Sequence, residues 1–193
     1  MTSSTSASTT EFISLILNRF FEVQNIRAKL LIELDTALDN HINSVNQEQE
    51  QQEQEQEQEH QQEHEQEIKH TPSAGGCRHE YKDIKTNPED YIQQVISIST
   101  SGFIEIKDEV KLLVDMLVTN LDRKDLAELI EEVETLESEK ISEFLQETLL
   151  RRREGLEGRD YAEPIEKHKQ RGRELTKSIV NLTAEIRAEM AEL

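Results

Sequence analysis

A run of apolar and small residues at alternating steps of three and four, Ile96, Ser99, Phe103, Ile106, Val110, Leu113 and Leu117, constrains this chain more than any other feature. It is the a/d seam of a packed α-helix, and a strand, which needs period two, cannot carry it. Past a short polar break at 120–124, a second helix opens at Leu126 and carries Ile130, Val133, Leu136, Ile141, Phe144, Leu145 and Leu149 on a looser stripe. So short a break leaves consecutive helices adjacent and reversed. The spacing therefore predicts an antiparallel, coiled-coil-like hairpin over 87–157, with helices at about 88–119 and 124–154.

The first hairpin helix has a strong start signal in Asn87-Pro88-Glu89-Asp90: an Asn to cap, Pro at the first helical position and two acids favoured by the helix dipole. Its seam stays in phase across a weak Ser/Thr/Gly stretch at 97–102, which predicts one continuous helix with a bend. Asn120 and Asp122 are expected to turn the chain and cap the next helix, with Asp125 an early acid inside it.

Ahead of the hairpin, residues 1–10 are Ser/Thr-rich and read as a disordered N-terminus, with Thr10 the N-cap of a first helix over 11–45. From Phe12 onward, Ile16, Phe20, Val23, Ile26, Leu30, Leu34, Leu38 and Ile42 form a third apolar stripe. Arg19, Arg27 and Lys29 against Glu22, Glu33 and Asp35 then read as solvated pairs on its polar face, each worth a few tenths of a kcal/mol.

Residues 46–67 are almost wholly Gln and Glu, with His60 and His64. Such a tract has nothing to bury, so 46–86 reads as a low-complexity, disordered linker and loop, with Pro72 and Gly75-Gly76 as breakers. Gln and Glu are good helix formers, and transient extension of the first helix is the other reading. His70, Cys77 and His79 lie in the loop, but a single thiol without a paired ligand spacing does not announce zinc. Nor does adjacency of Cys77 and His79 in sequence make a nucleophile and base. The expectation is no metal site, no cofactor and no catalytic residue.

After the hairpin, Arg151, Arg152 and Arg153 are expected to end its second helix, where cations suit the negative pole of the dipole. Gly155 and Gly158 then break the chain. Asp160 and Pro164 restart it in a C-terminal helix over 160–193 with Leu175, Ile179, Leu182, Ile186 and Met190 as a fourth seam. Four stripes make an all-α, antiparallel long-helix bundle, its core formed by the first three helices, with the last helix packing on the hairpin, extending from it or pairing with a partner helix. A hydrophobic fraction of 34% and a charged fraction of 33%, against typical values of roughly 45–50% and 25%, fit such a thin bundle and not a thick globular core.

The lone cysteine, Cys77, excludes an internal disulfide and points to a reducing compartment. No apolar run approaches the roughly 20 residues that span a bilayer, and residues 1–10 do not read as a secretory signal. A soluble cytosolic or nuclear protein, with no membrane contact and no small-molecule substrate, is expected. The stretch 151–177 holds nine Lys or Arg and six acids in a chain of formal charge −19. Arg171 and Arg173, two apart on a helix, diverge by roughly 200°, so a solvated face is favoured over a phosphate-binding one.

The order of features is more specific than any one motif. A helix with Gln24, Arg27 and Leu34 precedes a loop with Tyr81 and a helix opening near Tyr91 that holds Val95, Phe103, Glu109 and Val110. Next comes LAELIEEVETLESEKISEFLQ, with Leu126, Ala127, Ile130, Leu136, Glu137, Glu139, Lys140 and Gln146. This succession, over roughly 12–149 and interrupted by the Gln/Glu tract, resembles the DNA-repair family named "required for excision 1-B domain". Tyr91, Phe103 and the stretch from Leu136 to Lys140 lift the likeness above helical background, the two rings reading as core anchors. The resemblance implies a small helical protein of excision repair of DNA damage, placed in the nucleus, with no catalytic residues to carry over. Phosphate-loop, paired metal-ligand and nucleophile-elbow motifs are not present in the sequence, which argues against an enzyme. Protein partners docking on exposed helix seams are the expected mode of action, whether in DNA repair or as a general coiled-coil adaptor.

Overall fold

The computed structural model describes residues 4–65 and 88–193, with side chains described for 9–45, 47 and 90–193. The described residues form four helices and no strand: α1 (Ser4–Glu65), α2 (Pro88–Leu121), α3 (Lys124–Glu157) and α4 (Ala162–Ala191). Helix α2 starts at its Pro, whose fixed φ and missing N–H suit the first turn, and runs unbroken through the Ser/Thr/Gly stretch.

Three boundaries differ from expectation. α1 begins at Ser4, so 4–10 are helical and Thr10 is an interior residue with no role as a cap. The same helix runs on through the Gln/Glu tract to Glu65, which follows the second of the two readings of that tract, since once an apolar-anchored helix exists each added Gln or Glu extends it at little cost. The rest of the predicted linker, 66–86 with Cys77 and Tyr81, lies outside the described residues, and so does Asn87, the expected cap of α2. Finally, α3 passes through Gly155 and stops at Gly158, whose left-handed φ of 60° and N–H bond to the Glu154 carbonyl (3.1 Å) close the helix. The arginine triplet is therefore interior, a full turn short of the pole.

At the α2–α3 link Asp122 adopts a φ of 51°, and the N-cap position is Arg123, with no side-chain cap hydrogen bond. Asp122 turns the chain, as expected, without capping it, whereas Asn120 lies in the last turn of α2. Arg123 instead grips Asp125 (2.6 Å) and Glu189 of α4 (3.1 Å), joining the link to the far end of the last helix. Its pKa is raised, first by the hydrogen bond to Asp125, whose own pKa is lowered by the same bond. At the other turn, Asp160 accepts from the Ala162 N–H at 2.9 Å and restarts the chain as the sequence suggests.

Cross-helix pairs fix the directions. Arg19 meets Glu109 at 2.5 Å and Leu30 lies against Gly102, which together set α2 antiparallel to α1. Arg27 with Glu134, and Asp39 with Arg151 at 2.7 Å, set α3 parallel to α1. Arg171 with Glu139 at 3.1 Å sets α4 antiparallel to α3. The result is an up-down-up-down bundle in which α1 and α3 each touch all three other helices, while α2 and α4 do not meet among the described residues. α1 packs on α2, and α3 on α4, more extensively than α2 packs on α3. The α2 and α3 stripes face each other over only part of their length, because both are shared with α1.

The core gathers near the α2–α3 link: Leu17, Phe20 and Val23 of α1, Val110 and Leu117 of α2, Leu126, Ile130 and Val133 of α3, and Ile186 of α4. Buried apolar area here is the main stabilising term. Phe21 leans on Phe20 with ring centroids 5.5 Å apart and receives the Arg187 guanidinium 4.7 Å above its ring, tying α4 to α1.

Candidate docking groove

Away from that link, three helices leave an apolar groove of about 230 Å³ between them. α1 contributes Leu34, Leu38 and Ile42, α2 contributes Ile96, Thr100 and Phe103, and α3 contributes Ile141, Leu145, Thr148, Leu149 and Arg152. Leu34 and Ile42 are buried and make the floor. Ile96, Leu145 and Leu149 are 44%, 42% and 52% exposed and make the rim. The two threonine hydroxyls make no demand on an occupant, since Thr100 donates to the Ile96 carbonyl at 2.7 Å and Thr148 to the Phe144 carbonyl at 2.9 Å. Arg152 is the one ionisable side chain in the lining among the described residues.

The groove exists because the apolar stripes of α2 and α3 are wider than the strip that α1 covers. Ile96, Leu145 and Leu149 lie on the predicted seams but lack a partner helix, and Phe103 is half-buried at the groove in place of the core position expected for it. Tyr91, the other ring read as a core anchor, is 54% exposed. It borders a second, shallower apolar face between α1 and α2, with Ile32 and Ile98. Beside the α1–α3 contact, Asp35 has its pKa raised by burial and then by Asp39, with Arg151 opposing.

Polar predictions also need revision. Arg27, read as a solvated surface cation, is 3% exposed and paired with Glu134 of α3. Arg19 is exposed as expected, but it bridges to Glu109 of α2 as well as to Glu22. It is the α1 seam that explains the difference: it steps Val23, Arg27, Leu30, Leu34, so Arg27 takes the buried position while Ile26 sits 47% exposed beside it. Glu137 is buried as well, and it meets Lys140 one turn on at 2.6 Å.

Four of the cations of 151–177 are taken up by acids. Arg151 pairs with Asp39, Lys169 with Glu147, Arg171 with Glu139, and Arg173 with Glu166. His168 Nδ1 lies 2.6 Å from Glu143 in the same α3–α4 cleft. Among the described residues no group of three His, Cys, Asp or Glu could hold a metal ion, and no helix is long and apolar enough to cross a membrane. The histidines and cysteine weighed as ligands, His60, His64, His70, Cys77 and His79, fall outside the described side chains.

Among the described residues the fold and the groove together define an all-α bundle of four helices with one face left open at the α1–α2–α3 end. Comparison of the chain with protein-family models, with curated proteins and with solved structures gives no match.

Proposed function

We propose that this chain is a non-enzymatic helical factor in the excision repair of DNA damage, acting in the nucleus through protein–protein contacts made at the α1–α2–α3 groove. The observation that carries the contact mode is the exposed apolar rim of Ile96, Leu145 and Leu149 over a buried floor, because soluble proteins rarely leave such a contiguous patch unused. The repair assignment rests on the ordered likeness over 12–149. Two residues of that likeness, Leu34 and Phe103, line the groove, and a third, Arg27, fixes α1 to α3 behind it.

A deletion strain complemented with the wild-type chain or with Leu145→Arg tests both parts. Complementation by wild type, and failure of a folded Leu145→Arg protein to restore lesion removal after ultraviolet damage, is the expected result. Unchanged ultraviolet sensitivity and lesion removal on deletion would remove the repair reading.

A second reading, a general coiled-coil adaptor, draws on the Ile32, Tyr91 and Ile98 face, which offers a second docking surface unrelated to the groove. Gentle affinity purification separates the two readings: excision-repair partners support the first, another stable assembly the second.

A further inference from the structure

Among the described residues the groove's lining is acid-free, in a chain of formal charge −19. The only charge these residues bring is Arg152, at the end where α1 and α3 come together, with exposed Arg153 next to it. Arg151 is committed to Asp39 at 2.7 Å, whereas no ion pair engages Arg152 or Arg153 among the described residues. Along α3 the lining runs from Ile141 to Arg152, which at 1.5 Å per residue is about 16 Å, or three helical turns. A trough of that length, apolar throughout and cationic at one end, suits a helix with anchors at i, i+3 or i+4, and i+7.

From this we propose that the groove receives an amphipathic helix of a partner protein whose apolar face carries a carboxylate about one turn beyond the last anchor, set against Arg152. A second copy of this chain is a poor occupant, because two bodies of charge −19 repel. A cationic partner helix would be drawn to the acidic surface as a whole but would place like charge on Arg152. The inference rests on the groove being a docking surface and adds what docks there.

Two labelled helix-forming peptides of about four turns test it. Both carry Leu at helical spacing; one ends the apolar face with Glu, the other with Lys. Anisotropy titrations of the full chain at physiological salt, where long-range attraction is screened, read the affinities. The Glu peptide should bind roughly tenfold more tightly than the Lys peptide, Arg152→Glu should reverse that order, and Leu145→Arg should abolish both while leaving the helical circular dichroism intact. Equal binding of the two peptides, with dependence on Leu145 retained, would overturn the carboxylate partner and leave the docking groove standing. No binding of either peptide would overturn both, and a dimer at working concentration that Leu145→Arg dissolves would replace the partner with a second copy.

Discussion

Arg27 of α1, 3% exposed, holds Glu134 of α3 across the bundle, and among the described residues it is the one buried Lys or Arg of that helix. Glu134 is itself 19% exposed, so both charges are largely withdrawn from water. Removing one partner of such a pair strands the other and costs on the order of 3 kcal/mol or more, whereas an apolar pair of similar volume is often neutral. Arg27→Ala is expected to lower the urea-unfolding free energy by about 3 kcal/mol, and Arg27→Met with Glu134→Leu to recover most of it. A loss below about 1 kcal/mol for the single variant would show a solvated pair.

Burial separates the aromatic positions. Phe20 is fully buried, so Phe20→Ala should cost about 3–5 kcal/mol. Phe103 borders the open groove and should cost about half as much, on the order of 1–2 kcal/mol. Equal losses from denaturant titration would mean that the groove closes over Phe103 in solution.

Two glycines should respond in opposite directions. A Cβ at Gly172, inside α4, would meet nothing within 4 Å, so Gly172→Ala should stabilise by roughly 0.5–1 kcal/mol through helix propensity. Gly158 has equal room but a φ of 60°, so Gly158→Ala should destabilise by about 1 kcal/mol. Thermal melts of the two variants beside wild type read both signs.

The acids at either end of α1–α3 titrate in opposed senses. Asp35 has a pKa raised chiefly by burial, so its ionisation opposes folding: stability is greatest below its unfolded value and falls as pH rises through the folded one. Asp35→Asn should therefore raise the unfolding midpoint at neutral pH, and the gain should vanish near pH 3. Asp125 is lowered chiefly by the Arg123 hydrogen bond, so its contribution is present above the unfolded pKa and is lost as pH falls through the folded one. Asp125→Asn should then cost stability at neutral pH and little in acid. Urea titrations across that range distinguish the two profiles.

Much of the helix content was written in periodicity. Ser99, Ile106, Val110, Leu113 and Leu117 on α2, and Leu175, Ile179 and Ile186 on α4, are buried where their spacing put them. On α1 the pattern misled, because hydropathy selects Ile26 as the seam residue while the heptad step selects Arg27, and a half-buried Glu134 on α3 meets the arginine there. The groove had a partial signal in the surplus of apolar residues at Ile96, Leu145 and Leu149. Whether a stripe is covered depends on the mutual register of three helices, which no single helix encodes. Gly158 was visible as a breaker; Gly155 was not distinguishable from it, since the difference lies in a φ that both residues can adopt.

The turn at Gly158 also sets a timetable for assembly. It joins α3 to α4 through only a few residues, whereas α1 and α2 are separated by the whole of 66–87, and the entropy of closing a loop grows with its length. Substitutions that weaken the α3–α4 interface, such as Leu175→Ala, should mainly slow refolding. Substitutions between α1 and α2, such as Leu113→Ala, should mainly speed unfolding. On that schedule α1 docks late, and the groove it floors is the last surface of the molecule to form.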